Sequence, residues 1–145
     1  MLNILILNGP NLNLLGTRQP EVYGTTTLAD IEAMCHTKAA ELGVTVDCRQ
    51  SNHEGKLIDW IHAARGTFDG IIINAGAYTH TSIAIMDAVS SVEIPTLELH
   101  LSDIHAREDF RRVSYIGKVA FDAIMGHGSA GYSMAVERMV KKLKE

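Results

Sequence analysis

Arg18 and Tyr23 stand five residues apart in the stretch NGPNLNLLGTRQPEVYG, Asn8 to Gly24, and Glu98 and His100 stand two apart in LELH. These residue types move protons on small polar molecules. A tyrosine is a base only as its phenolate, and with a reference pKa near 10 about a thousandth of it is ionised at pH 7. Lowering that value by roughly 2–3 units takes about 3–4 kcal/mol of preferential stabilisation of the anion. A guanidinium a few ångströms away ordinarily supplies it. Arg18 is near enough in sequence for the loop to bring it against Tyr23. Spacing alone favours the plainer reading, a tyrosine packed on a loop and an arginine in solvent.

Side chains two apart on a strand point the same way. Glu98 is therefore placed to orient the His100 imidazole and hold it protonated as a general acid. A lone histidine at a strand end is commonly structural; the carboxylate on the same face brings the two readings level. Asn74, His80, Ser102, Arg107 and Arg111 add amide, imidazole, hydroxyl and guanidinium groups in neighbouring loops. That set suits a hydroxylated carboxylate, with arginine or backbone amides for the acid and amides and imidazole for the hydroxyls.

Short apolar runs alternate with helical patterns that would position these groups. NILIL reads as a buried strand. TLADIEAMCHTKAAELG follows as a helix with Leu28, Ile31, Cys35, Ala39 and Leu42 on one face. Thr27 is its cap and Gly43 its end. VTVDCRQ is the second strand, SNHEG a turn, and Leu57, Ile58, Ile61 and Ala64 mark the second helix. GIIIN is a third strand buried on both faces, SIAIMDAVSS a short helix, and PTLEL a fourth strand that Pro95 opens. VAFDAIM is a weaker fifth strand, interrupted by Asp122, and the last helix carries Tyr132, Ala135, Met139, Val140 and Leu143 on one side.

Such alternation implies right-handed crossovers and a parallel sheet covered on both faces. Five strands in 145 residues fit one domain, 1–145, of the α/β class: a flavodoxin-like three-layer sandwich with a five-stranded parallel sheet. Ligands of such sheets sit beyond the carboxyl ends of the strands. There the sequence places the Asn8–Gly24 stretch, SNHEG, NAGAYTHTS and HLSDIHARE. SNHEG reads equally well as an ordinary turn, whereas the other three are longer and chemically denser than turns require.

Composition excludes several classes. Hydrophobic residues are 46% and charged ones 21%, which excludes disorder. The Asn8–Gly24 loop, without helix or strand period and longer than about 12–15 residues, is then a functional one. A net charge of −4 without a basic run argues against nucleic acid, and Lys141, Lys142 and Lys144 suit the negative end of the last helix. Cys35 and Cys48 lack CxxC spacing and read as buried, reduced thiols. Ile4 to Leu7 is too short for a signal-peptide core and no segment approaches a membrane span, so the chain reads as cytoplasmic. GHGSAG, Gly126 to Gly131, matches GxGxxG, but no strand follows it to carry the ribose-binding acid. A tight turn is the better reading, and no nicotinamide cofactor is expected. His53 and Glu54 fail HExxH at Leu57, His100 and His105 lack companion zinc ligands, and there is no GxSxG elbow or P-loop. His36 and His62 read as surface or packing residues.

NGPNLNLLGTRQPEVYG, QSNHEG, GIIINAGAYTHTSIAIMDA and LELHLSDIHARE, in this order over nearly the whole chain, closely resemble type II 3-dehydroquinate dehydratases of the shikimate pathway. The resemblance implies anti elimination of water from 3-dehydroquinate to give 3-dehydroshikimate, without metal, cofactor or Schiff base. By position, Tyr23 resembles the base that takes the proton beside the ketone, and Arg18 the residue that keeps it ionised. His100 resembles the acid that protonates the departing hydroxyl, with Glu98 in support, and Asn11 the asparagine that settles the enolate oxygen through a bound water. Asn74, His80, Asp87, Leu101, Ser102 and Arg111 match substrate-binding positions, Leu101 and Ser102 partly through backbone amides, and Arg107 lies beside them. The resemblance also implies a mobile lid from about Arg18 to Thr25 and a homododecamer built from trimers, in which Asp87 would reach a neighbouring site.

Met86, Asp103, Asp122 and His127 depart from the family's usual residues, at positions that bear on assembly and packing but not on proton transfer. Two other readings compete. A flavodoxin-like module for a flavin or phosphorylated ligand would need a Ser-, Thr- and Gly-rich cradle after the first strand, where this chain has the bulkier NGPNLNLLGT. A purely structural assembly protein would leave the polar rim unexplained.

Overall fold

The computed structural model describes the chain from Met1 to Glu145, apart from Arg18, Gln19 and the side chains of Val22 and Tyr23. Among the described residues five strands form one parallel sheet: β1 (Asn3–Asn8), β2 (Thr45–Gln50), β3 (Gly70–Asn74), β4 (Thr96–His100) and β5 (Asp122–Met125). Their order is β2-β1-β3-β4-β5, the flavodoxin-like arrangement expected. The helices are α1 (Pro20–Tyr23), α2 (Leu28–Leu42), α3 (Glu54–Ala63), α4 (Ile83–Val92) and α5 (Ala130–Leu143). None is long and apolar enough to cross a membrane.

Strand alternation sorts the apolar side chains into two cores. Ile4 and Ile6 of β1, Ile72 of β3 and Leu97 and Leu99 of β4 pack with Ile31 and Cys35 of α2 and Tyr132 and Met139 of α5. Leu5, Leu7, Ile71 and Ile73 face the opposite way, against Leu57 and Ile61 of α3 and Ile85 and Val89 of α4. β1 and β3 are covered on both faces, which is why their sequences are almost continuously aliphatic. On β4 the odd positions go to the first core, so Glu98 and His100 emerge together on the other face.

Helix ends follow local chemistry. Thr27 and Asp30 form a reciprocal capping box at the start of α2, and Gly43 closes it. Ser82 Oγ accepts the Ile85 N–H at the start of α4. Gly126 and Gly128, at φ 85° and 58°, make the turn from β5 into α5, the role read for GHGSAG.

Three expectations need correction. The Asn8–Gly24 loop is not free of helix: it holds a 3-10 turn, Leu12–Leu14, and the four-residue α1, which Pro20 opens. Segments this short show no apolar period. The fifth strand starts only at Asp122, because Val119 and Ala120 still donate back to the Ile116 carbonyl in the preceding turn. Asp122 does not disrupt it; at the sheet edge its carboxylate pairs with Arg138 of α5. Finally, Cys35 and Cys48 are free thiols, but only Cys35 is buried, since Cys48 lies on the edge strand β2.

Candidate active site

A cavity of about 190 Å³ opens beyond the carboxyl ends of β1, β3 and β4. The strand order reverses between β1 and β3, where the loops leaving neighbouring strands diverge and make room for a ligand. Asn11 lines it from the loop after β1, and Asn74 and His80 from the end of β3 and the turn after it. His100, Leu101 and Ser102 come from the end of β4, and Arg107 and Arg111 from the turns that follow. Glu98 stands behind His100. Eight of the expected residues thus share one cavity. Asp87 does not: it lies exposed on α4, outside the cavity of its own chain. The Tyr23 side chain and Arg18 lie outside the described residues.

Two loops form the cavity mouth in very close contact. A Cβ on Gly9 would sit 2.4 Å from the Ala75 carbonyl oxygen, so only glycine fits there. Beyond it Asn11 takes the left-handed conformation, φ 70°, which asparagine tolerates. Its backbone N–H is held by Asn52 Oδ1 at 3.0 Å, and Gln50 Nε2 donates to the Gly9 carbonyl at 3.1 Å. Part of SNHEG therefore serves as a buttress for the first loop.

His100 Nε2 donates to Glu98 Oε2 at 2.6 Å, and both side chains are almost wholly buried. The same carboxylate oxygen accepts the Ser114 hydroxyl, whose own oxygen accepts the Gly117 backbone N–H at 2.9 Å. Burial pushes the Glu98 carboxyl up, but the hydrogen bond and charge of His100, with the Ser114 hydroxyl, outweigh it and hold the group below the usual carboxylate range. Glu98 is therefore an anion at neutral pH. With Nε2 engaged, Nδ1 is the imidazole nitrogen left to serve the cavity.

His80 differs in kind. Its Nδ1–H donates to the Val113 carbonyl at 2.8 Å, since a carbonyl only accepts. Burial lowers its pKa, and the charges of His100 and Arg111 add to this against the Val113 hydrogen bond and Glu98. His80 is neutral, with Nε2 as an acceptor suited to a hydroxyl. Arg111 Nε donates to Glu108 Oε2 at 2.5 Å, and this exposed pair leaves the guanidinium at the cavity edge. Asn74 is 4% exposed, its amide tied into the fold on both sides. The cavity thus offers an imidazole backed by a carboxylate, a neutral acceptor, an amide and guanidinium groups. Among the described residues no three His, Cys, Asp or Glu side chains gather as a metal ion would need.

Sequence reasoning missed Ser114, Asn52 and Tyr132. Ser114 lies 16 residues from Glu98 across irregular turns, and no local pattern marks it. For Asn52 the signal was present, in a polar turn at the correct end of a strand.

Over residues 2–140 the chain matches the protein family described as Dehydroquinase class II. It is 65% identical over 136 residues to the 3-dehydroquinate dehydratase of Dinoroseobacter shibae, spanning 94% of this chain and 91% of that protein. Identity to the 3-dehydroquinate dehydratase of Ruegeria pomeroyi is 59% over 143 residues, 99% of this chain and 96% of the other. The crystal structure of type II dehydroquinase from Butyrivibrio crossotus aligns with a TM-score of 0.92 at 42% identity, over 99% of this chain and 98% of that one.

Proposed function

The chain belongs to the class II dehydroquinase family, and on that premise we propose that it removes water from 3-dehydroquinate to give 3-dehydroshikimate, as a cytoplasmic step of the shikimate pathway. The elimination is anti and passes through an enolate. Tyr23, as phenolate, takes the proton beside the ketone, and Arg18 supplies the positive charge that keeps it ionised. Asn11 settles the enolate oxygen through a bound water. The electron pair then returns, the carbon–oxygen bond of the hydroxyl breaks, and the oxygen leaves as water with a proton from His100 Nδ1. Glu98 holds the imidazole in orientation for that transfer.

The observation that carries this reading is the buried Glu98–His100 pair, 2.6 Å apart, beside a cavity that also holds a neutral His80. An acid and a hydroxyl acceptor side by side suit a substrate that must be bound by its hydroxyls and lose one. Asn74 and His80 take hydroxyl groups. Arg111 and the backbone amides of Leu101 and Ser102 take the carboxylate, with Arg107 beside them. Each site is completed by a neighbouring copy in a dodecamer of trimers, through Asp87. Its exposure on α4, next to the exposed Ile83, supports that placement.

The test is direct. Purified protein incubated with 3-dehydroquinate should raise the ultraviolet absorbance of the conjugated enone. A folded protein with Tyr23 intact that leaves the absorbance flat overturns the proposal.

A further inference from the structure

We infer that Tyr132, a residue with no part in proton transfer, decides which way the Asn74 amide faces and so acts as a positioning residue for substrate binding; this rests on the substrate role proposed for Asn74 above. Tyr132 lies in the first turn of α5 and is 1% exposed. Its hydroxyl donates to Asn8 Oδ1 at 2.6 Å and accepts from Asn74 Nδ2 at 3.1 Å. Asn8 and Asn74 are register partners at the ends of β1 and β3, where the strand order reverses.

An asparagine amide has nearly the same shape with its oxygen and nitrogen exchanged, so its neighbours choose between the two orientations. Two neighbours choose here. The Gly76 backbone N–H, which can only donate, meets Asn74 Oδ1 at 3.2 Å. The Tyr132 hydroxyl has one proton, already given to Asn8, and so presents a lone pair that only an N–H can meet. A reversed amide would set donor against donor at Gly76 and acceptor against acceptor at Tyr132. Burial raises the pKa of the phenol, which stays a neutral hydroxyl with that single proton. One N–H and one carbonyl lone pair of Asn74 remain, and they serve the cavity in a fixed order. A substrate hydroxyl then meets a defined donor and a defined acceptor instead of a mixture.

Steady-state kinetics with 3-dehydroquinate test this on Tyr132→Phe, Asn74→Ala and the double variant. Phenylalanine keeps the ring in the core and removes only the hydroxyl. The expected result is a KM raised about 5- to 10-fold, the scale of one hydrogen bond, with kcat changed by less than about threefold. A packing defect that merely lowered the folded fraction would reduce kcat and leave KM alone. In the Asn74→Ala background Tyr132→Phe should add nothing, because no amide is left to position. Asn8→Ala gives the same reading should the phenylalanine variant fail to fold: it frees the Tyr132 proton to turn towards Asn74, donor against donor, and KM should rise again. Unchanged KM in the folded single variants, with Asn74→Ala still impaired, overturns the inference alone, and so do effects that multiply in the double variant. A neutral Asn74→Ala overturns the substrate role of Asn74 and this inference with it.

Discussion

Glu98, His100 and Asn74 lie on β4 and β3 towards their carboxyl ends and are 5% exposed or less; Glu98 and Asn74 are held by Ser114 and Tyr132 from elsewhere in the sequence, and Glu98 in turn holds His100. Across the same cavity, Asn11 and Arg111 stand on turns, and the half-buried Arg111 pairs with an exposed Glu108. The strand side therefore has its dipoles fixed before any ligand arrives, the condition under which electrostatic stabilisation is strongest. On the loop side, the Arg111–Glu108 pair is a contact that water screens. In the proposed reaction, directional work, giving a proton or reading a hydroxyl, belongs to the first side. Charge attraction belongs to the second.

The sharpest challenge to that division is Tyr23, a loop residue assigned the base. Tyr23→Phe should lower kcat by about 10³- to 10⁴-fold with KM little changed, since only the proton acceptor is lost. Near-normal turnover in that variant would move the base elsewhere. His100→Ala should lower kcat by about 10²- to 10³-fold and also raise KM, because the acid touches substrate. If KM alone moved, the strand side would be a binding surface without acid chemistry.

Ser114→Ala probes the support behind the acid. At pH 7 the variant should be less stable by about 0.5–1.5 kcal/mol, the usual net worth of a hydrogen bond. Because the Glu98 carboxyl lies below its unfolded value, its contribution is present above about pH 4.3 and is lost as pH falls through the lower folded value. The gap between variant and wild type should accordingly shrink on acidification, which denaturant titrations at pH 7 and near pH 3.5 measure. A gap independent of pH would mean that Ser114 does not act through the ionised carboxylate. The smallest effect belongs to Glu108→Gln, where KM should change by less than about threefold, and rising salt should erase the difference. A tenfold change would put Glu108 among the groups that matter.

How much of this could be read beforehand follows the same division. Short apolar runs and period-3.6 patterns revealed, among the described residues, every strand and each α-helix longer than a single turn. Strand alternation also placed Glu98 and His100 on one face, because it is a purely local geometric rule. Position along the sheet located the cavity. The partners of those residues were hidden, for a physical reason. Ser114 reaches Glu98 from irregular turns, and Tyr132 reaches Asn74 from 58 residues away, through contacts that no local spacing encodes. α1 was hidden too, since four residues carry no period. SNHEG reads as a turn, but only Ser51 to His53 lie outside α3, which begins at Glu54, and Asn52 among them also fastens the loop that holds Asn11.

The contact between Gly9 and the Ala75 carbonyl ties two segments that a designer would otherwise treat as separate modules. With no room between them for a single methyl group, grafting a longer or bulkier turn after β1 displaces the one after β3 as well. Retargeting this pocket to another compound would therefore mean exchanging both segments as a unit, and libraries that randomise one at a time would return mostly misfolded clones.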